Sequence, residues 1–330
     1  MNEPLHLSGL RGVLTRHAPL AKYTSWRAGG AADALYRPAD RDDLAAFLRQ
    51  LPADEPLSVL GLGSNTLVRD GGVRGTVVVM HNPGAALAVA DGLIYADAGV
   101  ACPKLARFAA LHDRGEAEFL AGVPGTVGGA LAMNAGCYGG ETWRYVARVE
   151  VATRDGRFVV RTPDDYVIGY RSVRLRAAGP PQGARPPGGE ERAALFGGET
   201  HPADGSPVDG IFTAAWFRFP EGDAAKARAR IRELLGKRIA TQPLSLPNAG
   251  SVFRNPPGDH AARLIEACGL KGHAIGGARV SEMHANFIVN PGGRAAAADI
   301  EALIEHVRAT VHARTGILLE PEVRIVGVRA

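Results

Sequence analysis

Two glycine-rich segments stand out as places where this chain of 330 residues could hold an anionic group. The first, Gly61-Leu62-Gly63-Ser64-Asn65, lies between two short strand-like runs, 57–60 and 76–80. A dinucleotide-fold glycine motif needs a helix that opens directly after the glycines. Here Thr66-Leu67-Val68-Arg69 is β-prone and is stopped by Asp70-Gly71-Gly72, so the unit reads as strand, tight turn, strand. Its backbone amides, rather than a helix end, would face a phosphate; an ordinary hairpin connection is the alternative. The second segment, Val123-Pro124-Gly125-Thr126-Val127-Gly128-Gly129, sets a Pro-Gly turn before a cap-type threonine and the small-residue stretch 130–135. Exposed amides at a helix start, with glycines allowing close approach, suit a pyrophosphate. Close packing of small residues is the competing reading.

The elements that must position these loops follow from periodicity and breakers. Residues 40–51 and 102–111 read as helices and 211–219 as a strand, with β-rich sequence continuing to about Arg176. The basic stretch from Lys226 to Arg238 carries Ile231, Leu234 and Leu235 at helical spacing with no interleaved aromatics, which makes it an amphipathic helix rather than a nucleic-acid surface. A last helix is signalled by Asp299 near its start, the stripe Ile300, Leu303, Ile304, Val307 and Val311, and a stop at Gly316. The run 322–328 is expected to close the chain as a strand paired within the C-terminal domain. Residues 177–209, rich in Pro and Gly with few apolar side chains, read as a mobile surface insertion with no core of its own.

Composition narrows the class. A 46% hydrophobic chain buries a sizeable core in two or three units. No apolar run approaches the about 18 residues of a membrane span, and the first residues lack a secretion signal, so a cytoplasmic protein with no membrane partner is expected. Three scattered cysteines, Cys102, Cys137 and Cys268, form no C-x-x-C pair and predict neither a disulfide framework nor a metal site. The net charge of +4 suits anionic ligands only weakly.

Taken together, six ordered segments resemble the enolpyruvyl reductase family, within the flavoprotein superfamily that includes the vanillyl-alcohol oxidases. They are Tyr23 to Gly30, Leu60 to Gly72, Leu120 to Gly136 (LAGVPGTVGGALAMNAG), Asn248 to Pro256 (NAGSVFRNP), Gly276 to Asn290 (GGARVSEMHANFIVN) and Leu319 to Gly327 (LEPEVRIVG). The resemblance implies an α+β fold: a two-lobed FAD-binding domain of the vanillyl-alcohol-oxidase (PCMH) type, lobes 1–75 and 76–220, and a smaller C-terminal substrate domain, 221–330. It also implies an NADPH-dependent reduction of UDP-N-acetylglucosamine enolpyruvate to UDP-N-acetylmuramate, with dissociable FAD because residues 57–72 contain no histidine or cysteine for covalent attachment. A monomer is expected, with a UDP-sugar and NADPH as its ligands.

By the same resemblance, FAD contacts come from Gly61, Gly63, Ser64, Asn65 and Thr66 in the first loop and from Pro124, Gly125, Thr126, Gly128, Gly129 and Asn134 in the second. Ser251 matches the family's proton donor, Arg171 the arginine beside the substrate carboxylate, and Glu322 the catalytic glutamate. Tyr170, Asn255, His284 and Arg324 fall where the family contacts substrate. The chemistry is coherent: hydride arriving at a vinyl carbon leaves negative charge next to a carboxylate, which calls for a guanidinium and a proton donor. Read alone, Ser251 after Gly250 is a turn residue and Arg171 a surface ion-pair partner. The family's Y-R-x-S is here Tyr170-Arg171-Ser172-Val173, which displaces the serine, and the short link from Pro256 to Ala261 is similar to the family's compact subtype. Two rival functions remain: an FAD-dependent oxidase of the same superfamily, and a non-catalytic binding module in which the serine, arginine and glutamate do not converge.

Overall fold

The computed structural model describes residues 8–176 and 210–330. The segment 177–209, read above as an insertion, lies outside the described residues.

Lobe 1 is a four-stranded sheet in the order β1 (Val13–Pro19), β2 (Ala31–Arg37), β5 (Val73–Val79), β3 (Leu57–Leu60). β2, β5 and β3 run parallel, so their C-terminal ends lie along one edge. Helix α1 (Arg41–Gln50) starts where Asp40 accepts from the Asp43 N–H, and buries Leu44, Phe47 and Leu48 against one face. Because Thr76 to Val79 pair with β2 and β3, the lobe boundary expected at 75–76 falls inside a strand; lobe 1 runs to about 80.

Lobe 2 is an antiparallel sheet in the order β11 (Phe158–Arg161), β10 (Val146–Ala152), β14 (Ile211–Phe217), β7 (Leu93–Asp97), β6 (Leu87–Ala90). Helices α2 (Cys102–Leu111) and α3 (Val127–Met133) cover it, and the short pair β8 (Gly136–Cys137) and β9 (Gly140–Glu141) follows α3. A hairpin, β12 (Tyr166–Gly169) and β13 (Ser172–Leu175), turns through Tyr170-Arg171. The basic helix α4 (Ala224–Thr241) buries Ala227 and Ile231 in this lobe's core. Its packing therefore joins it to lobe 2, not to the C-terminal unit in which a boundary at 221 placed it; the reason is that its apolar stripe has its counterpart on α2.

The C-terminal unit holds α5 (Ala261–Ala267), a small sheet of β15 (Ala274–Ile275), β16 (Ala278–Val280) and β17 (Ile288–Val289), and α6 (Ala297–Thr315), whose predicted stripe is buried and whose C-cap is Gly316 at φ 74°. The closing strand β18 (Arg324–Val326), expected from sequence to pair within this unit, does not. It pairs in parallel with β4 (Thr66–Val68) of lobe 1, Arg324 beside Thr66 and Val326 beside Val68. Strands β3 and β4 flank the turn at 61–65, as the strand, turn, strand reading expects, but they form no hairpin, since β3 pairs with β5 and β4 with β18. Among the described residues no helix is long and apolar enough to cross a membrane.

Candidate active site

Where β3 ends, the chain turns through 61–65 and meets the start of α3. A Cβ on Gly61 would collide with Thr126 Oγ1, so glycine there lets the two predicted loops touch. Gly63, at φ 58°, sits in the left-handed region favoured by glycine, with Tyr23 and Thr24 packed against it. The two loops bound a cavity of about 270 Å³, whose far wall comes from the hairpin, α4 and the C-terminal unit.

The two loops offer different groups to a ligand. Thr126 caps α3 by accepting from Gly129 N–H at 3.2 Å, while Val127 and Gly128 N–H donate to Val100 and Ala98 carbonyls at 2.8 Å each. The helix start expected to face a pyrophosphate is thus largely committed to its own lobe. In the first loop, by contrast, the N–H groups of Leu62, Gly63, Ser64 and Asn65 donate to no other group among the described residues. Four successive free amides beside a cavity form an anion cradle, and this is the feature that fits a dinucleotide.

The opposite wall is assembled from three distant stretches. Arg171 occupies the left-handed region at φ 52°, a strained conformation for a non-glycine residue, and is held there by Nε to Glu322 Oε1 at 2.7 Å and Nη2 to Gly136 O at 3.0 Å. Both partners are largely buried, with side-chain exposures of 17% and 12%. Burial raises the Glu322 pKa while Arg171 and Arg254 oppose it. Burial, together with repulsion from Arg254, lowers that of Arg324. The set carries a surplus of positive charge, as a ligand carboxylate would require. Asn65 ties this wall to the cradle: its Nδ2 donates to Glu322 O at 3.1 Å and its carbonyl accepts from Arg324 N at 2.9 Å. Ser251 lines the same cavity, and among the described residues its hydroxyl has no partner.

Of the residues singled out from sequence, Gly61, Gly63, Ser64, Asn65, Thr66, Pro124, Gly125, Thr126, Gly129, Arg171, Ser251, Glu322 and Arg324 line this cavity. Five do not. Gly128 packs against Ala98. Asn134, 2% exposed, donates to Glu141 and to Gly169 O, bracing the hairpin that carries Arg171. Tyr170 lies beneath the Arg171 guanidinium, 5.3 Å from ring centre to Cζ. Asn255 accepts from Ala261 N at 3.1 Å and so caps α5. His284 packs edge-on to Phe287 and accepts from Asn286 N at 3.3 Å; burial lowers its pKa, which favours that neutral acceptor.

Arg238, Gln242, Cys137 and Phe287 are among the lining residues that sequence reasoning did not single out. Arg238 and Gln242, at the end of α4, are joined by an Nε–Oε1 bond of 2.9 Å. The signal was present in their i,i+4 spacing at a helix end, but it was absorbed into the basic face. Cys137, whose thiol burial pushes up to about 11, and Phe287 gave no signal beyond their motifs.

The chain matches the family described as UDP-N-acetylenolpyruvoylglucosamine reductase, C-terminal domain, over residues 242–326, and an FAD binding domain over residues 32–161. It is 56% identical to the UDP-N-acetylenolpyruvoylglucosamine reductase of Nitrosospira multiformis, covering 100% of this chain and 93% of that protein. With the protein of the same name from Thiobacillus denitrificans it shares 51% identity over 97% and 94% of the two chains. A crystal structure of the reductase from Thermus caldophilus superposes with a TM-score of 0.72 at 30% identity, covering 96% of this chain and 100% of that one. The fold is a two-lobed FAD-binding domain followed by a smaller C-terminal domain, as expected. The chain belongs to the UDP-N-acetylenolpyruvoylglucosamine reductase family.

Proposed function

We infer that the protein carries out its family's reaction: it is an FAD-dependent oxidoreductase that reduces UDP-N-acetylglucosamine enolpyruvate to UDP-N-acetylmuramate with NADPH, a step of peptidoglycan precursor synthesis. The observation that carries the reading is the meeting of Ser251, Arg171 and Glu322 on the cavity wall opposite the amide cradle. The chemistry FAD supplies when bound is hydride carriage from NADPH to the terminal vinyl carbon.

The rest falls to this chain's residues. The free amides of Leu62 to Asn65 hold the pyrophosphate, with Pro124 to Thr126 closing over it. The cavity is too small for a whole dinucleotide. A second cleft of about 680 Å³ opens along the same strand edge, bounded by Val79 to Ala86, Asp97 and Thr213, and takes the adenosine half. Leu60, which lines the smaller cavity, pairs with Val79, which lines this cleft.

Arg171, supported by Arg324, sits against the substrate carboxylate as charge develops beside it. Glu322 orients Arg171 through their 2.7 Å ion pair, in a buried setting that raises its pKa. Ser251 offers its unpartnered hydroxyl proton to the adjacent carbon. Arg238 and Gln242 face the phosphates of the UDP-sugar or of NADPH. The protein acts as a monomer in the cytoplasm, without membrane or nucleic-acid partners, a reading consistent with its free cysteines.

Anaerobic mixing tests the function. NADPH should bleach the bound flavin, and UDP-N-acetylglucosamine enolpyruvate should then restore its oxidised spectrum without oxygen. Restoration by oxygen alone, with no response to the enolpyruvyl sugar, would establish an oxidase instead.

A further inference from the structure

We propose that Asn286 is the positioning residue that holds Ser251 in place on the cavity wall it shares with Glu322. The inference rests on the role given to Ser251 above. Residues 251–254 belong to no regular strand and are held from two sides. On one side the backbone of the chain's end supplies the partners: Arg254 N donates to Glu320 O at 2.9 Å, and Glu322 N to Val252 O at 2.7 Å. On the other side stands Asn286. Its Oδ1 accepts from Phe253 N at 2.9 Å, its Nδ2 donates to Phe253 O at 2.8 Å, and its own carbonyl accepts from Val252 N at 2.9 Å.

The side chain thus behaves as an added strand, giving donor and acceptor from one carbon to one residue of the segment. Only a carboxamide of this length does so. Aspartate would set a second acceptor against the Phe253 carbonyl, glutamine is one methylene longer, and serine spans one of the two bonds. Asn286 is 4% exposed and does not line the cavity. What it controls is geometry, because the peptides it clamps begin directly after Ser251, and the Val252 carbonyl between them is the one bonded by Glu322 N–H. The next residue, Phe287, lines the cavity, so the clamp also fixes the floor on which the substrate rests.

Loss of the clamp leaves buried backbone groups without partners and lets the serine drift, and a displacement of about 1 Å costs up to about 10²-fold in rate. Hydride delivery to the flavin does not use the serine, so the two half-reactions should part. The test uses the FAD-loaded enzyme and the variants Asn286→Asp and Asn286→Ser, the serine variant serving if the buried carboxylate prevents folding. Bound flavin and NADPH-driven bleaching should stay within about 2-fold of wild type, while reoxidation by the enolpyruvyl sugar slows about 10-fold or more. Amide exchange over residues 252–253 should quicken, a readout independent of turnover.

The decisive arm is a double variant. If Asn286 acts through Ser251, then Ser251→Ala/Asn286→Ser reoxidises no more slowly than Ser251→Ala alone. Fully multiplicative slowing, or equal slowing of both half-reactions by Asn286→Ser, overturns the proposal while leaving Ser251 in its role. Reoxidation unaffected by Ser251→Ala removes the serine's role and this inference with it.

Discussion

The C-terminal unit meets lobe 1 and lobe 2 in different ways. Toward lobe 1 there is a seam. β18 lies along β4, Trp26 Nε1 donates to Ile288 O at 2.8 Å, and Asn290 Nδ2 returns a bond to Trp26 O. Asp70 of lobe 1 accepts from Ala297 and Ala298 N–H at 2.9 and 2.8 Å, supplying from another domain the cap that alanine at the start of α6 cannot provide. Arg69 and Arg329 close on Glu301. Toward lobe 2, beyond the chain connection itself, the hydrogen bond that crosses among the described residues is the Arg171–Glu322 pair. Glu322 is therefore anchored on the lobe 1 side and met by a lone arginine on a strained hairpin turn. The lesson is a division of labour: charges in the seam should govern stability, and the charge pair across the cleft should govern chemistry.

Arg171→Ala should break the comparison hardest. It removes the guanidinium, so kcat/KM should fall by about 10³-fold. Leaving Glu322 buried without its partner also costs stability, offset where the carboxyl, whose pKa burial already raises, takes up a proton, so the rate should fall further than the melting temperature indicates. A large loss of stability with modest loss of rate would mean the cleft pair is a second seam. Glu322→Gln is milder because shape is kept; about 10²-fold in the substrate half-reaction is expected. Since burial raises the Glu322 pKa, the wild-type pH–rate profile should bend above the ordinary carboxylate range. That limb should vanish in the glutamine variant, and its persistence would assign it elsewhere.

In the seam, Asp70→Ala should cost about 1–2 kcal/mol, the scale of a lost helix cap, read by denaturant unfolding, with kcat close to wild type. Glu301→Gln should cost under about 1 kcal/mol at neutral pH, since its arginine partners are partly exposed. Arg69 and then Arg329 hold the Glu301 pKa below the ordinary value. Its contribution is thus present above the unfolded pKa of about 4.3 and is lost as pH falls through the lowered folded value. Stability curves of wild type and Glu301→Gln should converge on acidification; parallel curves would show that the carboxylate contributes nothing.

The same division separates what was legible in the sequence from what was not. Local signals survived translation into structure: Thr126 as a cap, the α6 stripe and its glycine stop, and the α1 start at Asp40 are each decided within one or two turns of chain. Pairing between distant segments was not legible. Nothing in Arg324-Ile325-Val326 announces β4 as its neighbour, because a short apolar strand suits any edge that lacks one, and the partner choice is made by the seam around it. The same holds for α4, whose stripe shows that it is buried but not against what. Motif membership blurred distance from the cavity: Asn134, Asn255 and His284 stand in matching segments yet brace the hairpin, cap α5 and pack behind Phe287. Arg238 was hidden for the opposite reason, as one more cation on a basic helix.

The central claim is that residues gathered across the cleft from the flavin cradle serve the substrate half of the reaction, and Ser251→Ala tests it most directly. Stopped-flow traces under anaerobic conditions should show NADPH bleaching the flavin at nearly the wild-type rate, followed by reoxidation with the enolpyruvyl sugar slowed by about 10² or more, the scale of a lost general acid. Equal slowing of both phases would make Ser251 a support for the fold or the cofactor and contradict the account.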